Sequence, residues 1–285
     1  MNRLVALLAL CPALPLVAQQ ESTRQDVPFT WRERVAAGAW LRVYSTMGPI
    51  DVIAADGPEA EVQGERAPGS RWADLVPSYV VLRDGNDVVL CVLTEYQECT
   101  LDGLESERRR WSRRGERTPS VALTVKVPRG VRLGVASGNG GVNVSGATSE
   151  VEARSGNGDV SVDGAGDRVD ASSGNGDIRV TTALGPVSAT TGNGRVWVRM
   201  ERLTEASSMD FRTGNGTITV TLPDNLAADI EATTGNGQVD SDFPITTQGR
   251  FSTHRLFGRI GGGGPRLELR TGNGDIELRK LAGGR

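Results

Sequence analysis

Apolar and polar positions alternate along most of the chain with a period of two. Val142-Asn143-Val144, Val160-Ser161-Val162, Ile178-Arg179-Val180, Val196-Trp197-Val198, Ile218-Thr219-Val220 and Ile276-Glu277-Leu278 each put aliphatic residues on one side and a polar or amphipathic residue on the other. That is the pattern of a half-buried strand. A second set follows after a short turn: Val151-Glu152-Ala153, Val169-Asp170-Ala171, Val187-Ser188-Ala189 and Ile230-Glu231-Ala232. Stacked in register, the first set predicts two buried ladders, Val142 to Ile276 and Val144 to Leu278. The second set predicts a ladder of Val151, Val169, Val187 and Ile230 beside a column of alanines.

A tetrapeptide separates the strands. Ser/Thr-Gly-Asn-Gly begins at Ser137, Ser155, Ser173, Thr191, Thr213, Thr234 and Thr271, with successive spacings of 18, 18, 18, 22, 21 and 37 residues. Self-similarity at this period predicts an all-β chain folded as a β-solenoid, parallel β-helix-like and right-handed, with coils of about 18–22 residues. The expected turns are Gly138, Asn139, Gly140; Gly156, Asn157, Gly158; Gly174, Asn175, Gly176; Gly192, Asn193, Gly194; Gly214, Asn215, Gly216; Gly235, Asn236, Gly237; and Gly272, Asn273, Gly274. Glycine adopts positive φ freely and asparagine tolerates it, and stacked asparagines can exchange amide hydrogen bonds. A phosphate-cradling loop would need a helix after the glycines, where a strand follows. A calcium-binding repeat would need a period of about nine residues and a carboxylate in every coil. The residue after each turn instead runs Gly141, Asp159, Asp177, Arg195, Thr217, Gln238, Asp275.

Outside the array the pattern is less regular. Residues 1–18 carry one basic residue, an apolar run from Leu4 to Val17 and then polar glutamines. This reads as a signal peptide cleaved near Ala18, the run being short for a membrane span. A lipoprotein reading of Cys11 is weakened by Leu10 before it. Residues 19–34 are expected to be a linker and 35–285 the solenoid domain. Gly38 to Glu65 looks like a divergent coil, and Tyr79 to Leu93 like a hairpin around Asp84-Gly85-Asn86-Asp87. Hairpin and insertion together fill 66–120, and the regular coils fill 121–285. Phe243 to Pro265 is expected to form one degenerate coil and a glycine loop. Cys91 and Cys99 predict a disulfide in an oxidising compartment. The insertion Glu105 to Thr118 carries Arg108, Arg109, Arg110, Arg113, Arg114 and Arg117, diluted by Glu105, Glu107 and Glu116. It is read as a solvated loop, with a contact to acidic polymers or lipid headgroups as the sharper reading.

Composition then narrows the function. Among 285 residues, 32 Lys+Arg face 35 Asp+Glu, which argues against a dedicated nucleic-acid binder. The aromatic share of 5% fits a narrow interior. The run Val127-Pro128-Arg129-Gly130-Val131-Arg132-Leu133, the reiterated Gly-Asn-Gly-Asp-Val/Ile-x-Val units and the closing Thr271 to Leu278 resemble the bacterial putative-adhesin β-solenoid domain. That family is related to the head-GIN, autotransporter-adhesin-like group and has no assigned activity. The resemblance covers about residues 35–285, most specifically 121–285. It implies a solenoid in an exported protein and transfers no catalytic residue.

The expectation is therefore a non-enzymatic exported protein without cofactor, metal or integral membrane span. It would present a polar repeat face to a cell-surface polysaccharide or an envelope protein. Trp197, Arg179 and Arg199 are the candidate ligand face, an aromatic among polar residues. A structural scaffold of the envelope is the alternative. A polysaccharide-active β-helix enzyme would draw on outward Asp159, Asp163, Asp170, Asp177, Arg154 and Arg179. The single His254 lies in an irregular stretch, a poor place for a triad.

Overall fold

The computed structural model describes residues 19–23, 28–67, 78–93, 97–106, 119–147, 149–182, 184–202, 207–247 and 252–281. The expected signal peptide, with Cys11, lies outside these residues, as do the arginines of the insertion. All regular structure among the described residues is β, gathered into a 13-stranded sheet A, an 11-stranded sheet B and one small hairpin.

The N-terminal third builds one end of the stack. In order come β1 (Gln19–Thr23), β2 (Phe29–Arg34), β3 (Trp40–Met47), β4 (Ile50–Ala54) and β5 (Glu59–Arg66). They are followed by β6 (Ser78–Asp84), β7 (Asp87–Leu93), β8 (Gln97–Thr100), β9 (Gly103–Ser106) and β10 (Val121–Val127). β3 and β4 are the divergent coil expected from the sequence, and β6 and β7 the hairpin. Residues 19–34 are not a linker. β1 pairs with β6 and β2 with β5, both antiparallel. The reason is visible in β2, where alternation buries Phe29 and Trp31 between the sheets. Phe29 stacks on Tyr79 with ring centroids 4.6 Å apart, closing an end that narrow side chains would leave open.

The regular coils each contribute one strand to each sheet. Sheet A receives β11 (Arg132–Asn139), β13 (Val151–Asn157), β15 (Val169–Asn175), β17 (Val187–Asn193) and β19 (Met209–Asn215). Sheet B receives β12 (Val142–Ser145), β14 (Val160–Ala165), β16 (Ile178–Thr182), β18 (Val196–Met200) and β20 (Ile218–Leu222). All pairings among them are parallel and in register, apart from a shift between Asp163 and Ala165 where β14 meets β16. Val142, Val160, Ile178, Val196 and Ile218 face one another, as do Val144, Val162, Val180, Val198 and Val220. These side chains meet those of sheet A in one continuous apolar core. The alanine column is shorter than expected. Ala153, Ala171 and Ala189 are succeeded by Phe211 and Leu269 before Ala232.

The C-terminal coils are stacked out of chain order. The last strands are β21 (Ala228–Asn236), β22 (Val239–Ser241), β23 (Ile245–Thr246), β24 (Arg255–Ile260), β25 (Arg266–Asn273) and β26 (Ile276–Lys280). β25 lies between β19 and β21, and β26 between β20 and β22. The final coil is thus inserted inside the coil that precedes it in sequence. The stretch from Phe243 to Pro265 is not a degenerate coil. β24 runs antiparallel to β21, with β23 beyond it, and this ribbon covers the exposed edge of sheet A.

Candidate functional site

The Gly-Asn-Gly corners and the two outer sheet faces hold every candidate site residue of the regular coils. At each corner sheet A hands the chain to sheet B, and three columns run along the stack. The first is a hydroxyl column. Ser155 Oγ donates to the Gly140 carbonyl at 2.9 Å, and Ser173, Thr191, Thr213, Thr271 and Thr234 repeat the bond to the coil before each in the stack. These hydroxyls are buried and satisfy carbonyls that the sheet ladders leave over. The second is the asparagine ladder, with Asn157 Nδ2 donating to Asn139 Oδ1 at 2.8 Å and each later asparagine doing the same. Every amide bond points the same way.

The third column is glycine, and here the expected explanation changes. No asparagine sits at positive φ, since only glycines among the described residues do. The three residues before the last glycine are the end of the sheet A strand, and the last glycine alone makes the bend, as Gly158 does at φ 149°. The first glycine is needed because the coils touch. A Cβ on Gly192 would lie 2.5 Å from the Gly174 carbonyl oxygen, closer than any real contact.

Two of the acids nominated for chemistry, Asp159 and Asp177, are engaged at these corners, as is Asp275. Asp159 accepts the backbone N–H of Asp177 at 2.8 Å, Asp177 that of Arg195 at 2.7 Å, and Asp275 that of Gln238 at 2.8 Å. Arg195 also forks onto Asp177, and these hydrogen bonds hold the Asp177 carboxyl below the ordinary aspartate range. His254 closes the hydroxyl column. Its Nδ1 lies 2.7 Å from the Gly237 carbonyl, the place a next coil's Ser or Thr would occupy. No described cluster of three or more His, Cys, Asp or Glu could hold a metal. No described helix is long and apolar enough to cross a membrane.

The outer faces differ from each other. On sheet A a network of ion pairs ties Arg212, Arg266 and Arg270 to Asp210, Glu231 and Glu268, with Glu268 almost fully buried. Burial pushes the Asp210 carboxyl above its ordinary range, against the pull of Arg212. At the N-terminal end of the same face, the Cys91–Cys99 disulfide ties β7 to β8, with Cα atoms 5.8 Å apart. A small second core lies there, with Val80, Leu82, Val89 and Leu93 packed against Tyr44 and Leu104. The sequence reading also missed Trp40, whose ring centroid lies 4.4 Å from the Arg42 guanidinium and 4.8 Å from that of Arg132.

On sheet B the candidate ligand residues do come together. Arg179 and Trp197 are directly opposed on neighbouring strands, with the guanidinium 4.1 Å above the indole centroid. Arg199 is exposed two residues along the Trp197 strand. Thr181, Thr219 and Thr221 surround them on the same face. Arg154, Asp163 and Asp170 do not join the group. Arg154 and Asp170 point out from sheet A, whereas Asp163 lies on sheet B two strands from Arg199.

A family model described as Toastrack DUF4097 matches residues 129–279. No curated protein matches the chain. Two solved structures align with it. One is a putative adhesin from Bacteroides fragilis NCTC 9343, 11% identical over 90% of this chain and 99% of that one, with a TM-score of 0.44. The other is a putative cell adhesion protein from Clostridium sporogenes ATCC 15579, 10% identical over 89% and 100%, with a TM-score of 0.31.

Proposed function

Because the chain belongs to the Toastrack DUF4097 family, a family shown here on a two-sheet solenoid, we propose that it works as a non-enzymatic exported binding surface. Its ligand is a cell-surface polysaccharide, received on the outer face of sheet B. The observation that carries this reading is the indole of Trp197, partly exposed among threonines and held by Arg179 on a sheet of in-register parallel strands. A sugar ring packs its C–H face against such a surface while its hydroxyls bond to the threonines. The guanidinium is stacked on the indole, so the sugar ring packs on the exposed part of this stacked pair.

The absence of enzymatic activity is supported by the division of labour among the acids. Asp159 and Asp177 serve the next coil's backbone, Asp163 and Asp170 lie on opposite faces, and the acids that do gather, Asp210, Glu231 and Glu268, are paired with arginines. An acid–base pair must converge on one bond. Export is supported by the disulfide and by the character of residues 1–18. Binding of the parent and Trp197→Ala chains to a panel of surface polysaccharides tests the face. Unchanged binding everywhere would sink it. Turnover of a polyuronide, lost in Asp159→Ala, would overturn the non-enzymatic reading.

A further inference from the structure

We infer that the Arg179–Trp197–Arg199 patch takes a carboxylate-bearing polysaccharide, an inference that rests on the reading of sheet B as the binding face. It starts from how the arginines of the coils are used. On sheet A, Arg154 lies 3.6 Å from Glu152, Arg212 2.8 Å from Asp210 and Arg270 2.6 Å from Glu268. On sheet B, Arg279 lies 2.7 Å from Asp240. Arg179 has the indole as its partner, and Arg199 contacts no carboxylate among the described residues.

No ion pair joins Arg199 to Glu201, the exposed acid two residues on, among the described residues. Asp163, in the same column as Arg199, is two strands away across Thr181, roughly 9–10 Å at the strand spacing. Glu277 is two strands from Trp197 across Thr219 and already lies 3.6 Å from Arg279. Two guanidinium groups on diagonal positions, about 7–8 Å apart at the backbone, therefore flank one indole. A guanidinium keeps a flat, weakly hydrated fork that pairs with carboxylate oxygens and also stacks on rings. A uronate sugar offers both partners, a carboxylate for Arg199 or the free edge of Arg179 and a ring for the indole. A neutral sugar uses only the ring, and a polyanion without sugar rings only the charge.

The test measures binding of the full chain to polygalacturonate, dextran, polyglutamate and polyphosphate at about 0.15 M salt. Polygalacturonate should bind, and the other three should bind at least about tenfold more weakly. The double variant Arg179→Gln/Arg199→Gln should weaken polygalacturonate binding about tenfold or more. Arg179→Lys/Arg199→Lys should recover part of it, and Arg154→Gln on the opposite sheet should change nothing. Matched circular dichroism melts establish that the variants fold. Dextran binding as tightly as polygalacturonate, with the double variant unaffected, overturns the acidic ligand and leaves the binding face standing. Equal binding of polyglutamate or polyphosphate overturns it as a generic polyanion effect. If no polysaccharide binds, or Trp197→Ala alters none of the binding, the face itself fails and the inference with it.

Discussion

At the scale of single residues the corners are built from contacts between coils rather than from bends within one. Gly192 shows the difference. Its φ is ordinary, so a turn argument predicts tolerance, yet its Cα faces the Gly174 carbonyl too closely for a side chain. Gly192→Ala should therefore cost about 2–4 kcal/mol in urea unfolding. Gly57→Ala, with open space around it, should be neutral or stabilising by about 0.4–1 kcal/mol. Asp177 carries a pH signature. Its folded pKa lies below the ordinary value near 3.8, so the ionised carboxylate favours the folded state. That contribution is complete above the unfolded pKa and disappears as pH falls through the folded one. Unfolding midpoints between about pH 5 and pH 2 should therefore drop less steeply for Asp177→Asn than for the parent. The asparagine ladder was legible in the sequence because identical side chains recur at one position. The task of the first glycine was not, because the distance between backbones belongs to the stack.

Elements were legible wherever alternation was strict. The register of β12 to β20 follows from valines and isoleucines that have one buried face to fill. β2 escaped notice because six residues with two aromatics give a weak signal, and its pairing with β5 joins distant segments. The candidate ligand face was legible only as residue types, while the stacking of Arg179 on Trp197 needed the pairing of β16 with β18. The small second core depends on a covalent element. Reducing Cys91–Cys99, or replacing Cys99 by Ser, should cost about 2–3 kcal/mol by the loop-closure argument. It should also free the β8–β9 hairpin from the face of sheet A and uncover Val80, Leu82 and Val89. Melts with and without reductant, read with an apolar-surface dye, check both. An unchanged melt with no dye binding would show that the hairpin is held by packing alone.

For the whole molecule, the decisive feature is the inserted last coil. The 37-residue spacing before Thr271 was its trace in the sequence. Its direction was hidden, since Ile276-Glu277-Leu278 fits any place in the stack equally well. In a sequential solenoid, ending the chain at residue 265 would trim one terminal coil. Here the same truncation removes the coil that joins β19 to β21 and β20 to β22, leaving β21 to β24 with no parallel neighbour. The truncated chain should lose hydrogen-exchange protection across 228–260, while β11 to β17 stay protected. Full protection of 228–260 would contradict the insertion. A chain leaves the ribosome and any export channel amino end first. Strands 228–260 therefore gain the parallel neighbours they have in the fold only after residues 266–280 have emerged. A chain without residues 266–280 is therefore left with a gap inside its stack, between β19 and β21 and between β20 and β22, rather than with a shorter end.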